Sequence, residues 1–222
     1  KKAVDEIDSD LKSNYKMFRI LQGDVGSGKT IVSLIAASNV INSGYQVVMM
    51  APTEILAEQH LKTFQQFLGA SRVRLGFLGG GIRKKKREEL LSALSAGEID
   101  LLIGTHAVLE NDVVFKKLGM VVIDEQQKFG VLQRAGLRKK GSQPHTLVMT
   151  ATPIPRTLAM SAYADLDTSV IDELPPGRSP ITTVAIPDQR RPEVIERVNS
   201  ACASKDSGGE GAQDGGHPSM SL

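Results

Sequence analysis

The residues that most clearly could do chemistry are 23–30, which read GDVGSGKT. Gly23, Gly26 and Gly28 would let the backbone approach an anion closely, and the first N–H groups of a following helix would point at its oxygens. Lys29 would then reach the β- and γ-phosphates of a nucleotide, and the Thr30 hydroxyl would ligate Mg²⁺. A glycine-rich turn with an exposed lysine is the alternative. The remaining residues of this predicted phosphate loop are Asp24, Val25 and Ser27.

A second chemical feature is the acidic pair Asp124 and Glu125, which follows the apolar run 120–123. Two carboxylates at the end of a buried strand are unfavourable unless a cation or a proton transfer uses them. Opposite a phosphate loop, Asp124 would hold Mg²⁺ through water, and Glu125 would orient or deprotonate an attacking water. The alternative is a strand that ends in solvated acids.

The elements that must position these residues alternate between strands and helices. A short amphipathic helix is predicted over 1–15. Strands are predicted over 17–21, 46–50, 72–78, 100–104, 120–123 and 146–150, with helices over 31–41 and 53–68 and a helix that starts in the basic run 83–87 and continues over 88–96. Further along the chain we predict a helix that begins at Pro153, short strands over 168–171 and 181–186, and a helix over 192–201. His60 is expected to be an ordinary position on the helix over 53–68. The alternation predicts an α/β fold with a mostly parallel sheet covered by helices on both faces, in three layers. Every chemical candidate then falls at a strand's carboxyl end, where such sheets bind ligands.

Composition excludes several classes of protein, such as membrane-spanning and disulfide-bonded secreted proteins. The chain has 222 residues, is 41% hydrophobic and carries a net charge of +2. No apolar run approaches the ~18 residues of a membrane span, and the N-terminus shows no signal-peptide pattern, so we expect a cytoplasmic protein without a membrane partner. Cys202 stands alone, which excludes an internal disulfide and a cysteine metal cluster. The basic run 83–87, RKKKR, is either a solvated face or a phosphate contact.

Several stretches together resemble one family. LQGDVGSGKT, APTEILAEQH, IGTHAVLE, VVIDEQQKFGV and TATPIPRTLAMSAYADLDTSVIDELPPGR are similar to the first RecA-like motor lobe of superfamily 2 helicases, and more narrowly to the RecG family. The resemblance covers about 17–198. Transcription-repair coupling translocases share a similar TATPIPRT stretch and are the alternative, but DELPPGR favours the RecG family.

The resemblance implies ATP with Mg²⁺ as cofactors and branched or forked DNA as a partner bound through its backbone. It implies that residues 23–30 bind ATP and that Lys29, Asp124, Glu125 and Gln127 are catalytic. Thr150, Ala151 and Thr152 would couple the nucleotide state to DNA. The implied DNA path contains Pro52, Thr53, Gly79, Gly80, Thr105 and His106.

This sequence departs from the family pattern at three positions. Gln127 stands where the family usually has His, so the side chain can bridge by hydrogen bonds but cannot titrate. Gly79 and Gly81 stand where Thr and Ser are expected, which removes two hydroxyls that could bond a DNA phosphate.

The resemblance also implies further parts that the sequence does not show: a second motor lobe with its arginine motif, an N-terminal wedge domain and an upstream adenine-reading glutamine. We therefore expect a fragment, from a truncated or frame-disrupted gene. Residues 1–166 are predicted to form the ATP-binding lobe, 167–202 a connector towards the second lobe, and 203–222 a disordered tail. In this tail, we expect disorder from Ser204 onward, where glycine, serine and charged residues replace the apolar pattern.

Two other classes of function compete with an ATP-driven helicase lobe. A GTPase or small-molecule kinase could use the same phosphate loop, although the Asn-Lys-x-Asp string that reads guanine does not occur. A non-catalytic module that binds ATP and DNA is the third class.

Overall fold

The structure is a computed structural model that describes residues 1–69, 71–125, 144–152, 167–172 and 184–206, with backbone alone at 201 and 203–206. The chain divides into two compact units, Lys1–Pro175 and Pro176–Leu222. Gln127 and the helix predicted after residue 153 lie outside the described residues.

The first unit alternates strands and helices in the predicted order. Its helices are α1 (Lys2–Lys12), α2 (Lys29–Asn42), α3 (Glu54–Leu68) and α4 (Lys84–Ala96), with a 3₁₀ turn at His106–Leu109. Its strands are β1 (Phe18–Gly23), β2 (Gln46–Met50), β3 (Leu75–Leu78), β4 (Leu101–Gly104), β5 (Leu118–Asp124), β6 (His145–Thr150) and β7 (Asp167–Ile171).

These strands form one sheet in the order β3-β4-β2-β5-β6-β1-β7, and every pairing among the described residues is parallel. Parallel neighbours need a crossover between them, and the helices that follow β1, β2 and β3 supply it. The predicted α/β fold with a parallel sheet is therefore confirmed.

Side chains from both faces of the sheet are buried. On one face Val47 and Met49 pack with residues of α1, α2 and α3, such as Leu34 and Phe64. On the other face Val48 and Met50 pack with Leu94 of α4. Successive residues of a strand point to opposite faces, so a strand covered on both sides is apolar throughout, which explains the continuous apolar runs in the sequence.

Arg19 connects β1 to both α1 and β7 through its side chain. Its side chain is buried, and its Nε donates a hydrogen bond of 2.7 Å to Asp10 Oδ2 in α1. One terminal nitrogen donates a bond of 2.9 Å to Ser169 Oγ in β7. The short strand predicted over 168–171 is present as β7, which pairs with β1. The division into lobe, connector and tail stays a prediction.

The second unit contains a 3₁₀ turn at Asp188–Arg190 and a helix, α5 (Arg191–Asp206). The helix predicted over 192–201 is confirmed and is longer, because the helix-breaking glycines begin only at Gly208. The helix therefore includes the first three residues of the segment that the sequence analysis assigns to the tail from Ser204, and the tail itself stays a prediction. The strand predicted over 181–186 is wrong for residues 184–186, which are exposed and form no strand. No helix in the described residues is long and apolar enough to cross a membrane.

Candidate active site

The phosphate loop predicted from the sequence joins the end of β1 to the start of α2. Gly26 and Gly28 have φ of 82° and 92°, in the left-handed region that glycine enters without a Cβ penalty. Gly28 is the N-cap of α2, and its carbonyl accepts hydrogen bonds from Ile31 N at 3.0 Å and Val32 N at 3.1 Å. The loop therefore delivers the chain directly into a helix whose first N–H groups are unpaired within it.

Two further contacts shape this loop. A Cβ on Gly23 would lie 2.6 Å from Ser27 Oγ and 3.0 Å from Ile171 Cβ, so only glycine fits between the loop and β7. The Ser27 hydroxyl is buried and has no hydrogen-bond partner in the described part of the chain. A buried hydroxyl without a partner is unfavourable, and a ligand oxygen in the loop would satisfy it.

Lys29 lies at the mouth of the loop. Its Nζ donates hydrogen bonds of 2.7 Å to Gly23 O and 2.8 Å to Asp24 O, which leaves one of the three ammonium N–H groups for an anion. Burial lowers the pKa of Lys29, while the charges of Glu125, Asp124 and Asp24 oppose that shift. The acidic pair is thus close enough to the lysine to act on it electrostatically.

The acidic pair sits at the carboxyl end of β5. Asp124 is the last residue of the strand and is buried, whereas Glu125 is half-buried. Glu125 has a φ of 50°, a conformation that costs a residue with a Cβ about 1–2 kcal/mol. Its N–H donates a bond of 3.0 Å to Met149 O in β6. Strain of this kind persists where the surroundings hold a residue in place, and it is frequent at active sites.

His60 is a functional candidate that the sequence interpretation missed. The sequence predicts an ordinary helical position for His60, but its ring is buried and Nε2 lies 2.7 Å from Asp124 Oδ2. A carboxylate can only accept, so the ring nitrogen donates the hydrogen bond. The two residues are 64 positions apart, and no periodicity in the sequence links them.

The predicted coupling residues lie at the end of β6, which runs between β5 and β1. Thr150 is fully buried, and its hydroxyl oxygen is 3.0 Å from that of Thr152. Thr152 N also donates a bond of 3.2 Å to Thr150 Oγ1. Residues 150–152 therefore stand between the phosphate loop and the acidic pair, with Ala151 half-buried between the two threonines.

The residues that the resemblance assigns to a DNA path lie at the ends of the other strands. Pro52 and Thr53 follow β2, Gly79 and Gly80 follow β3, and Thr105 and His106 follow β4. These strands are neighbours at one end of the sheet, so the segments share one stretch of its carboxyl edge. Thr53 caps α3 by accepting a bond of 3.3 Å from Leu56 N. The role of these residues in DNA binding stays a prediction.

The basic run lies at the N-terminus of α4. Arg87 forms ion pairs with Asp112 and, at 2.5 Å, with Glu110, so it is held by acids of this chain. The preceding basic residues, Arg83, Lys84, Lys85 and Lys86, are exposed. Four exposed cations at a helix N-terminus oppose the helix dipole, which leaves both a solvated face and a phosphate contact compatible with the structure.

The all-parallel sheet, the glycine loop between β1 and α2, and the acidic pair after β5 define a P-loop NTPase lobe of the RecA-like class. Residues 3–161 match the family described as DEAD/DEAH box helicase. The chain belongs to the DEAD/DEAH box helicase family.

Within this family, two curated relatives and one solved structure to which the chain is similar are RecG proteins. The ATP-dependent DNA helicase RecG of Pasteurella multocida (strain Pm70) is 52% identical over 92% of this chain and 30% of the relative. That of Escherichia coli (strain K12) is also 52% identical, with the same coverage. A structure of RecG bound to a three-way DNA junction has a TM-score of 0.74 and 41% identity, over 91% of this chain and 27% of that chain. This chain therefore spans about 30% of the length of the curated relatives it matches.

Proposed function

We propose that this chain is the ATP-binding motor lobe of a helicase or translocase that acts on branched DNA in recombination and repair and couples ATP hydrolysis to duplex unwinding. The observation that carries the proposal is the convergence of the phosphate loop and the acidic pair at one sheet edge, with Lys29 within electrostatic reach of Asp124 and Glu125. The similarity to RecG helicases supports DNA as the partner and favours that family over transcription-repair coupling translocases.

The residues at this edge fit a nucleotide with Mg²⁺. A Cβ on Gly28 would have no heavy atom within 4 Å, so there is open space next to the last glycine of the loop. The buried Ser27 hydroxyl is available as a donor. Thr30 and Asp124 supply hydroxyl and carboxylate oxygens, the ligand type that Mg²⁺ prefers.

Each residue at the edge then has a distinct task. Bound Mg²⁺ neutralises phosphate charge and helps to orient the group that is transferred. Thr30 and Asp124 hold that ion, and Lys29 and the loop amides hold the phosphate oxygens. Glu125 positions a water and accepts its proton, and the backbone bond to Met149 O holds the main chain of Glu125 at the end of β5.

Residues 150–152 are suited to couple this chemistry to DNA. Thr150 follows Met149, whose carbonyl holds Glu125, so a displacement at the end of β6 reaches the acidic pair through one hydrogen bond. The predicted DNA segments lie after β2, β3 and β4 of the same sheet. Gln127 is proposed to bridge nucleotide and DNA segments by its amide.

Rapid turnover is proposed to need a second RecA-like lobe. Charge that develops on the transferred phosphoryl group needs a cation, and arginine fingers contribute about 10³–10⁵ in rate. We propose that the second lobe supplies that arginine when the lobes close across one nucleotide. The 222-residue chain by itself should then bind ATP but hydrolyse it slowly, with little stimulation by DNA.

The experiment compares nucleotide binding by the 222-residue chain and by Lys29→Ala, with a fluorescent ATP analogue and Mg²⁺. Losing a charge-assisted contact to phosphate costs about 1.5–3 kcal/mol, so the affinity should fall roughly tenfold or more. Lys62→Ala is the matched control, because Lys62 is an exposed lysine of α3, and it should bind as the parent does. Equal binding by Lys29→Ala and the parent would contradict the assigned loop.

A second measurement tests the two-lobe requirement. A RecG-like second lobe, added in trans or fused after Val198, should raise phosphate release on forked DNA. Glu125→Gln in the same fusion should remove that gain while nucleotide binding is retained. Fast, DNA-stimulated hydrolysis by the chain alone would contradict the requirement and would make Arg156 the first arginine to replace.

A further inference from the structure

The bond between His60 and Asp124 links a helix to the proposed Mg²⁺ ligand. His60 Nε2 is 2.7 Å from Asp124 Oδ2, and both residues are less than a tenth exposed. His60 lies in α3, and Asp124 ends β5. A hydrogen bond to a charged acceptor in such a buried setting is among the stronger ones, and it restricts the carboxylate to one orientation.

The ring itself is held by its own helix. Phe64, one turn further along α3, is a core residue, and its ring centroid is 6.3 Å from that of His60. Ala57, one turn before His60, is fully buried in the same apolar cluster. Because both neighbours on this helix face are packed into the core, the imidazole has little freedom to move away from Asp124.

We propose that His60 is a positioning residue that holds Asp124 Oδ2 and thereby directs the other carboxylate oxygen towards nucleotide-bound Mg²⁺. This inference rests on the proposed function, in which Asp124 helps to hold that ion. Carboxylates at metal sites are themselves hydrogen-bonded by neighbouring groups that orient them, and loss of such a partner typically lowers metal affinity or activity 10- to 100-fold.

The test measures binding rather than turnover. A fluorescent ADP analogue is titrated onto the 222-residue chain at a series of Mg²⁺ concentrations and again in EDTA. His60→Leu and His60→Asn both remove the bond, because leucine has no donor and the asparagine amide is too short to reach. In both variants the Mg²⁺ concentration for half-saturation should rise about 10- to 100-fold. Nucleotide binding in EDTA should be unchanged.

His60→Gln is the conservative rescue, since its longer amide can place an N–H near the position of Nε2. Its half-saturation should return to within a few-fold of the parent value. Val40→Ala is the matched control: Val40 is buried in the same apolar cluster but lies in the last turn of α2, so the variant should lower the melting temperature and leave the Mg²⁺ dependence unchanged. Asp124→Asn combined with His60→Leu should lose no more than Asp124→Asn alone.

The outcomes separate the inference from the function on which it rests. If the parent binds with Mg²⁺ dependence but His60→Leu and His60→Asn shift half-saturation no more than Val40→Ala does, the positioning role is wrong and the bond is purely structural. If His60→Gln behaves like His60→Leu, the hydrogen bond is not the active feature. A parent chain that binds no nucleotide overturns the proposed function and the inference with it.

Discussion

Gly28→Ala and Gly44→Ala should lower the stability of the chain by similar amounts. Only Gly28→Ala should also lower its affinity for nucleotide. The two glycines have φ of 92° and 79°, and a Cβ on either would have no heavy atom within 4 Å. Neither substitution creates a clash, so the cost is conformational, about 1–2 kcal/mol for a Cβ in the left-handed region. In a chain of this size that lowers the melting temperature by roughly 2–8 °C.

Their positions on α2 differ. Gly28 precedes the first residue of the helix, in the phosphate loop, and Gly44 follows its last turn. A helix of that length separates them by roughly 20 Å. A methyl group at Gly28 would occupy the open space next to the phosphate loop, where the nucleotide is proposed to bind. Removing one charge-assisted amide interaction with phosphate costs about 1.5–3 kcal/mol, or roughly 10- to 100-fold in affinity.

The assay is thermal unfolding of both variants without ligand, followed by titration with a fluorescent ADP analogue and Mg²⁺. Gly28→Ala and Gly44→Ala should melt within about 2 °C of each other, while only Gly28→Ala loses affinity. Retention of parental affinity by Gly28→Ala would refute the assignment of the loop. A comparable loss of affinity in Gly44→Ala would show that general destabilisation, and not the loop, controls binding.

Three other perturbations have defined outcomes. Gln46→Leu should lower the free energy of unfolding by about 3 kcal/mol or more in urea titrations, because the buried amide donates to Leu94 O and Ile99 O and accepts from a backbone N–H, and each of the three groups left unpaired costs about 1–3 kcal/mol. Burial and the nearby charge of Lys16 lower the pKa of His145, whose Nδ1 accepts a backbone N–H. Stability should therefore be full above pH 6.5 and fall as the pH drops below that ordinary value, in the parent and not in His145→Asn. Alanine at residues 84–86 should flatten the plot of log DNA affinity against log salt by roughly 0.9 for each phosphate that these lysines neutralise, and an unchanged slope would return the run to a solvated face.

The sequence by itself determined the parts of the site that are contiguous in the chain. GDVGSGKT carries its glycines, lysine and threonine at fixed covalent spacing, so the loop could be predicted before its neighbours were known. Asp124 and Glu125 could be predicted for the same reason. Continuous apolar runs separated by helical segments also predicted the parallel sheet, since strands buried on both faces must be apolar throughout.

Tertiary structure alone decided the contacts between distant segments. His60 meets Asp124 only because α3 packs against the sheet and turns that face of the helix inwards, and a helical pattern with one buried histidine does not encode its partner. Arg87 pairs with acids more than 20 residues away in the chain. Its environment therefore differs from that of the exposed lysines beside it in the same basic run. The positive φ of Glu125 follows from how the chain leaves β5 and bonds to β6. Such pairings depend on the relative placement of whole elements, which the packing of the core sets and local spacing does not.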